Sequence, residues 1–307
     1  MCETMLTRRI DAPSNCDSVE VNPSSNTIFI GMYEYEESSS SRGGGFLILD
    51  AKGDEKSRIV SDYGCLDAKW LSDDLITIAC SDGLIRNYSK SLDKIVQEIP
   101  IVSKPSSSDT SNIIMTIDSV NGKTAIITAK GRLALTRDAV VTHQWEAHSP
   151  VLESWCCGLN PDASVVVTGS DDCSLKFWDT TSQDLLHHDK RNHRMGTTCI
   201  EFLDNNMLLS GSYDDCIRLF DMRNLAEPVN EVKSIGGIWR LKPFSNRLLV
   251  AACYGGCQIL ELDTLEPIVA EYTGHDSIAY GIGALDLNRA VSCSFYDKSI
   301  QFWEFQD

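Results

Sequence analysis

No stretch of this 307-residue sequence is apolar for long enough to cross a bilayer. Residues 1–14 include two arginines but no apolar segment of the kind that makes a secretory signal peptide. Positive charge is also scarce, because 27 lysines and arginines stand against 44 aspartates and glutamates, for a net charge of −17. Nucleic acids are bound largely through lysine and arginine. We therefore expect no direct contact with membrane or nucleic acid, and a surface suited to a basic or cationic partner.

The twelve cysteines include no Cys-x-x-Cys pair. Several of them stand inside apolar runs, where a free thiol packs like a small hydrophobic side chain. These are Cys157, Cys199, Cys253 and Cys293. Neither a structural zinc site nor a disulfide framework is favoured, and a reducing, cytoplasmic location fits this pattern best.

Common catalytic signatures are absent as well. There is no Gly-x-Ser-x-Gly elbow, no His-Glu-x-x-His and no phosphate-binding glycine loop. The segment "HHDKRNHR" at 187–194 carries three histidines, but no acidic or cysteine ligand stands at a typical metal-binding spacing. We interpret it as a solvated loop and expect neither a metal nor a cofactor.

A repeated segment dominates what is present. "GSDDCSLKFWD" at 169–179 matches "GSYDDCIRLFD" at 211–221 almost position by position, and "SCSFYDKSIQFWEF" at 292–305 is a further copy. In each copy an aliphatic run ends in a small polar turn and is followed by alternating apolar residues, which is typical of paired strands. A period of about 40–45 residues with Trp-Asp at a strand end is the pattern of a WD-repeat blade.

Seven such repeats fit the chain. They occupy residues 17–50, 64–89, 113–137, 147–179, 192–221, 231–263 and 272–305, with a Ser/Gly-rich loop insertion at 38–45 and a polar linker at 103–111. The remaining segment "TMLTRRID" at 4–11 is expected to supply the outer strand of the last blade and so remove a sheet edge. The prediction is one all-β domain over residues 1–307, a monomeric seven-bladed WD-repeat β-propeller closed by its N-terminal strand.

The reactive side chains of the repeats have a structural interpretation. In WD-repeat blades a histidine before the first strand, an aspartate in the turn before the third and the terminal tryptophan form a buried hydrogen-bonded set, which satisfies polar groups that would otherwise be costly to bury. Two blades fit this pattern, through His148, Asp172 and Trp178 and through His275, Asp297 and Trp303. His193 occupies the histidine position of a third blade, but that blade ends in Phe220, so this histidine lacks the full set and is freer to act.

Aromatic residues recur where loops should meet on one face of the ring. These are Trp239, Tyr254, Tyr280 and Tyr296. Most aromatic residues in such loops only pack, yet stacked rings beside aspartates also attract quaternary ammonium groups. Both interpretations remain open from the residues alone.

Several segments resemble one family of WD-repeat proteins, the diphthine methylesterases. They are "QWEAH" (144–148), "GSYDDCIRLFDMRNL" (211–225), "GGIWRLKPF" (236–244), "HDSIAYG" (275–281) and "SCSFYDKSIQFWEF" (292–305). The likeness is dense from about residue 144 onward. The sequence departs from the family pattern at Gly255 and Gly256, where relatives carry a His-Ser pair. The resemblance implies hydrolysis of the methyl ester of diphthine, the trimethylammonium-bearing histidine of translation elongation factor 2.

Ester hydrolysis requires a base and donors for the developing oxyanion. Our candidates for these roles are His193 as the base, Asp214 as the group that orients it, and Tyr280 or the Trp239 indole as the oxyanion donor. Trp239, Tyr254, Tyr296 and Asp297 are the candidate substrate-binding residues. The rival interpretation is a propeller without catalytic activity that only docks proteins, as many WD-repeat rings do.

Overall fold

The computed structural model describes residues 2–89, 94–102 and 113–306, so the predicted linker at 103–111 lies outside the described residues. Within those ranges, twenty-eight strands form seven antiparallel four-stranded sheets, and no helix occurs. Each sheet is one blade. The innermost strands contact one another in chain order, and the last of them contacts the first, which completes the circle.

The first four blades are continuous in sequence, and each runs from its innermost to its outermost strand. Blade 1 consists of β2 (Cys16–Val21), β3 (Ile28–Glu36), β4 (Ser41–Leu49) and β5 (Glu55–Ser61). Blade 2 consists of β6 (Cys65–Ser72), β7 (Leu75–Cys80), β8 (Leu84–Ser89) and β9 (Ile95–Pro100). Blade 3 consists of β10 (Ile114–Val120), β11 (Lys123–Thr128), β12 (Arg132–Arg137) and β13 (Val140–Glu146). Blade 4 consists of β14 (Ser154–Leu159), β15 (Val165–Ser170), β16 (Leu175–Asp179) and β17 (Leu185–Asp189).

The last three blades include the closure of the ring. Blade 5 consists of β18 (Thr197–Phe202), β19 (Met207–Ser212), β20 (Cys216–Asp221) and β21 (Asn230–Lys233). Blade 6 consists of β22 (Arg240–Phe244), β23 (Arg247–Ala251), β24 (Cys257–Glu261) and β25 (Ile268–Tyr272). Blade 7 consists of β26 (Ala279–Ala284), β27 (Arg289–Ser294), β28 (Ser299–Phe305) and β1 (Thr4–Asp11). The prediction of a seven-bladed ring closed by the N-terminal strand is confirmed.

Burial along the strands explains the repeat pattern. The inner strands are apolar runs buried on both faces, as in β19, where Leu208 and Leu209 are both inaccessible. Most outermost strands are more exposed, and in β13 more and less exposed residues alternate, because only one face packs. The core therefore lies between neighbouring blades.

Two local predictions differ from the structure. The Ser/Gly-rich insertion at 38–45 forms no long loop, because Ser41–Leu49 is strand β4 and pairs with β3 over its whole length. Gly44 makes this close pairing possible: its φ is +145°, and a Cβ there would lie 2.2 Å from the carbonyl oxygen of Met32. The segment 187–194 is also only partly a loop, since its first three residues belong to strand β17.

Candidate active site

One residue near the start of most innermost strands is bulged. The register between the first and second strands of a blade skips one residue in six of the seven blades, and the skipped residues are Asp17, Leu66, Met115, Trp155, Thr198 and Tyr280. In blade 6 the equivalent place, just before β22, holds Trp239. A bulge re-aims the side chain it carries. Here all but Thr198 line one cavity, at the end of the channel where the innermost strands begin.

This cavity has a volume of about 480 Å³ and is walled largely by aromatic rings. Trp239 is at the centre of the wall, with its ring stacked on Tyr280 at 4.4 Å and in edge contact with Trp155 at 5.5 Å between centroids. Tyr213 packs against both tryptophans, and Phe295 continues the wall from Tyr280 at 5.3 Å. Rings in contact are held in fixed orientations, so the cavity presents preformed π faces.

Carboxylates complete the lining. Glu37 and Glu153 are exposed at the rim, whereas Asp17 is only 5% exposed. No hydrogen bond or ion pair joins the Asp17 carboxylate to another described residue. The cavity therefore combines aromatic faces with negative charge, which is the chemistry that attracts an organic cation.

Burial and neighbouring charges set the protonation of the cavity residues. Burial raises the pKa of Asp17 to about 7, with Arg240 opposing the rise and Asp67 adding to it. Burial also raises the pKa of Tyr280, and the charge of Asp17 adds to this effect. At neutral pH the Tyr280 phenol is thus a neutral donor, while Asp17 exchanges a proton near that pH.

Three of the residues predicted for the site line the cavity, namely Tyr280, Trp239 and Tyr296. Tyr296 is 66% exposed, at the rim. Tyr254 is 78% exposed and does not line the cavity, because it lies at the tip of the turn between β23 and β24. In the same turn Gly256 has a φ of +92°, and a Cβ there would lie 2.4 Å from the Tyr272 carbonyl oxygen. The turn is therefore built for glycine rather than for a His-Ser pair.

His193 is the main departure from expectation, because the structure does not bring it to the cavity. Its side chain is inaccessible inside blade 5, stacked on Phe220 at 6.1 Å and bonded through Nε2 to Ser210 Oγ at 2.9 Å. Burial lowers its pKa to about 4. Blade 5 thus lacks the indole hydrogen bond, but packing against Phe220 keeps the histidine buried, so the missing indole does not free it.

Asp214 also has a different partner from the predicted one. Its carboxylate is paired with Arg218 at 2.9 Å and accepts the backbone N–H of Arg194 at 2.9 Å. Burial is the largest single effect and would raise the pKa of Asp214, but the hydrogen bond and charge of Arg218, together with the backbone N–H groups of Arg194 and Cys216, outweigh it and the pKa is lowered. Asp214 therefore anchors the buried arginine of blade 5 and does not orient His193.

The predicted structural set is confirmed in blade 4. His148 bonds Asp172 Oδ2 through Nδ1 and Thr168 Oγ1 through Nε2, both at 2.9 Å, and the Trp178 indole donates to the same Thr168 oxygen at 3.1 Å. Although burial opposes it, hydrogen bonding from His148 and Ser174 lowers the pKa of Asp172. Every polar group of the set is satisfied.

Blade 7 builds the same set with one extra link. His275 bonds Ser299 Oγ at 3.0 Å and Ser292 Oγ at 2.7 Å, and Ser299 in turn donates to Asp297 Oδ2 at 3.1 Å. Asp297 also accepts the backbone N–H of Asp276 at 3.0 Å. It was predicted to bind substrate, but it does not line the cavity, because its carboxylate is committed to this network.

Replacing His148 by alanine should lower the free energy of unfolding by about 1–3 kcal/mol, because Asp172 and Thr168 would lose their partner inside the blade. Urea denaturation monitored by tryptophan fluorescence measures the change. His143→Ala is the matched control, since that histidine lies on outer strand β13 and, among the described residues, its side chain bonds only the neighbouring Thr142 hydroxyl. The control should change stability by less than about 0.5 kcal/mol. Equal stabilities for the two variants would contradict a structural role for His148.

The most informative cavity residues were not predicted. Asp17, Trp155 and Tyr213 all line the cavity. Asp17 and Trp155 occupy equivalent places, near the first residue of an innermost strand, in "DSVEV" (17–21) and "SWCCGL" (154–159). An alignment of the seven repeats at that position would have identified these cavity residues, one from each blade.

Within residues 2–89, 94–102 and 113–306 no helix is long and apolar enough to cross a membrane. Over the same ranges, no group of three His, Cys, Asp or Glu side chains is placed to hold a metal ion.

The fold resembles that of known WD-repeat propellers. The sequence model described as "WD domain, G-beta repeat" matches residues 139–179 and 186–221. The WD40 β-propeller domain of Doa1 superposes with a TM-score of 0.81 at 11% identity and covers 99% of this chain and 97% of that one. A chain of the mitotic checkpoint complex superposes with a TM-score of 0.80 at 14% identity, over 100% of this chain and 94% of that chain. These likenesses establish the propeller fold.

Comparison of the sequence is more specific. A protein of Dictyostelium discoideum named "Diphthine methyltransferase homolog" is 31% identical over 94% of this chain and 95% of its own length. "Diphthine methyltransferase" of Schizosaccharomyces pombe is 24% identical over 91% of each chain. The similarity thus reaches well beyond the half of the chain in which the motifs are dense. With that identity over nearly the full length of both chains, the protein belongs to the diphthine methyltransferase family.

Proposed function

We propose that the protein is a carboxylic-ester hydrolase of diphthamide biosynthesis. It converts the diphthine methyl ester on translation elongation factor 2, with water, into diphthine and methanol. The name of the family indicates a reaction of a methyl group at diphthine, and the motifs in the second half of the chain resemble those of the methylesterases. We place the reaction in the cytoplasm, where the elongation factor works.

The observation that carries the proposal is the aromatic, acidic cavity at the channel mouth. Diphthine bears a trimethylammonium group, which has no N–H to donate and is recognised through π faces and negative charge. Contact with one aromatic face is worth about 0.5–2 kcal/mol. A volume of about 480 Å³ suits one modified histidine side chain, since sites for small ligands commonly hold about 300–1,000 Å³.

Hydrolysis suits the cavity better than methyl transfer does. Transfer requires a second site for a methyl donor beside the substrate, whereas hydrolysis requires only water, a base and a donor to the oxyanion. We assign the oxyanion donor to Tyr280, whose raised pKa keeps the phenol protonated. The absence of a Gly-x-Ser-x-Gly elbow in the sequence favours direct attack by water over an acyl-enzyme.

The protein substrate fits the charge of the chain. The elongation factor carries diphthine on a tip that binds ribosomal RNA, and such a tip is basic. A protein with a net charge of −17 attracts it by long-range steering. Association should therefore weaken as ionic strength rises, because at 0.1 M salt screens the attraction between exposed charges that lie more than about 10 Å apart.

The test is incubation of the purified chain with elongation factor 2 that carries the methyl ester, followed by mass spectrometry of the modified peptide. The expected result is the loss of one methylene unit and the release of methanol. Unmodified elongation factor is the control. Binding of the esterified factor without loss of the methyl group would favour the rival function, a docking scaffold, for which the exposed rings of Tyr254 and Tyr296 are available.

Recognition of the cation can be measured without turnover. Choline should displace the modified peptide more strongly than 3,3-dimethyl-1-butanol, its uncharged isostere. Replacing Trp239 by leucine should shrink this preference by about 2–30-fold, the equivalent of one aromatic face. Trp70→Leu is the control, because Trp70 lies on β6 and does not line the cavity. An unchanged preference in Trp239→Leu would remove Trp239 from the cation site.

A further inference from the structure

Asp17 differs from the other acids of the cavity. Glu37 and Glu153 are exposed to solvent at the rim, whereas Asp17 is 5% exposed and faces the cavity with no partner among the described residues. A buried carboxylate without a hydrogen bond is costly to keep. Such a group is a candidate for chemistry rather than for scaffolding, whereas Asp172 and Asp297, the acids of the two structural sets, both have hydrogen-bond partners.

The fold holds Asp17 in place. It is the bulged residue of β2, between Cys16, which pairs with Met32, and Ser18, which pairs with Gly31. The bulge turns its carboxylate out of the strand ladder and toward the channel mouth. A Cβ added at Gly31 would lie 2.3 Å from Ser18 Oγ, so the neighbouring backbone is closely packed and Asp17 has little freedom to move.

We propose that Asp17 is the general base that activates the hydrolytic water, an inference that rests on the ester hydrolysis proposed above. The aromatic wall binds the trimethylammonium group and so leaves the ester within reach of a water between Asp17 and Tyr280. Both residues line the cavity from neighbouring blades, since β2 contacts β26.

The step balances without any further reactant. Asp17 accepts one proton from water as the water oxygen bonds to the ester carbonyl carbon, and Tyr280 donates a hydrogen bond to the resulting oxyanion. The tetrahedral intermediate then collapses and the bond between carbon and methoxy oxygen breaks. The proton held by Asp17 passes to the departing oxygen, which leaves as methanol. The new carboxylic acid loses its proton to solvent.

The surroundings of Asp17 suit a base that works near neutral pH. The charged groups that act on it are Arg240 from β22 and Asp67 from β6, and the tyrosines Tyr33 and Tyr280 face it from β3 and β26. Burial and Asp67 raise its pKa and Arg240 restrains the rise, to about 7. General bases act best when their pKa is close to the operating pH. The rate should therefore rise with pH through about 7 and level off above it.

The alternative role for Asp17 is a counter-charge for the trimethylammonium group. The two roles differ in their kinetics, because removing a counter-charge weakens binding and removing a base slows the chemical step. Asp17→Asn should lower kcat by about 100–10,000-fold with KM within about threefold. Glu153→Gln, which removes an equal charge from the rim of the same cavity, should instead raise KM and leave kcat within about threefold.

Folding of the variant is checked in the same experiment. Asp17→Asn should melt at or above the wild-type temperature at pH 8, because burial raises the pKa of Asp17 to about 7 and its ionisation therefore costs stability at pH 8. The carboxyl carbon of Asp17 should titrate near pH 7 in ¹³C NMR of the wild type and be absent from the spectrum of the variant.

The outcomes separate the two proposals. A folded Asp17→Asn protein with a fall in kcat of less than 100-fold overturns the assignment of the base, and so does a rise in KM with kcat unchanged. In either case the ester hydrolysis itself stands. A wild-type protein that leaves the methyl ester intact overturns the proposed function and, with it, the role of Asp17.

Discussion

A chain that lacks residues 2–11 is expected to unfold or aggregate at 37 °C. Strand β1 pairs with β28 from Thr4 to Asp11, and its removal exposes the whole edge of β28. It also ties blade 7 to both neighbours, since Thr4 Oγ1 donates to Glu271 O at 2.9 Å and Arg8 Nη1 donates to Lys52 O at 2.7 Å. At about 1 kcal/mol net for each hydrogen bond, the loss approaches the total stability of a domain, about 5–15 kcal/mol.

Thermal unfolding and gel filtration measure this result. The control is the double variant Met5→Thr, Leu6→Thr, which keeps the strand and changes only side chains that are 54% and 46% exposed. It should melt within about 2–4 °C of the wild type, the shift produced by about 1 kcal/mol. A truncated protein that stays monomeric and melts like the wild type would show that the ring does not depend on β1.

Replacing Arg240 by methionine should lower the free energy of unfolding at pH 8 by about 1–3 kcal/mol, because the carboxylates of Asp17 and Asp67 would lose the buried positive charge that acts on them. Arg240 is 8% exposed, and the charges of Asp67 and Asp17 raise its pKa against the effect of burial. The folded pKa of Asp17 already lies above the value of an exposed aspartate, so ionisation of Asp17 costs stability as the pH rises through about 7. Without Arg240 this loss should extend to higher pH.

Urea denaturation at pH 5 and pH 8 tests whether the Arg240 variant loses more stability at the higher pH. At pH 5 Asp17 is protonated in the folded state, so the variant should lose less there than at pH 8. The same change should move the pH profile of turnover toward alkaline values. Asp67→Asn should move it the other way, because Asp67 raises the pKa of Asp17. Equal losses of stability at both pH values would mean that the charge of Asp17 contributes nothing to the effect of Arg240.

The fold could be predicted because each blade repeats its own pattern. The aliphatic run, the Gly-Ser turn and the final aromatic residue recur about every 40–45 residues, so each copy predicts the same strands and turn. The closing strand followed from the same count, since seven blades left residues 4–11 without a sheet. The insertion at 38–45 was misjudged because serine and glycine indicate a loop, whereas close backbone pairing across Gly44 makes a long hairpin.

The site could be predicted only in part because it takes one residue from each of several blades. Trp239 and Tyr280 stood out as aromatic residues, but Asp17 stands alone near the start of its strand, and nothing local marks it as buried and unpartnered. Histidine is chemically reactive, so the sequence favours His193 instead. In the structure, packing against Phe220 removes the His193 side chain from solvent. Burial depends on neighbours far along the chain, so residue type alone could not show that His193 lies away from the cavity.

The closing strand also has a consequence for biosynthesis. Residues 4–11 leave the ribosome well before their partner β28, which follows roughly 290 residues later, and at about 5–20 residues per second this is a wait of about 15–60 seconds. During that interval a nascent strand with unpaired backbone groups is open to association with other chains. Arg8, Arg9 and Asp11 place three charges within it, and charges of this kind discourage aggregation until the last blade has been made.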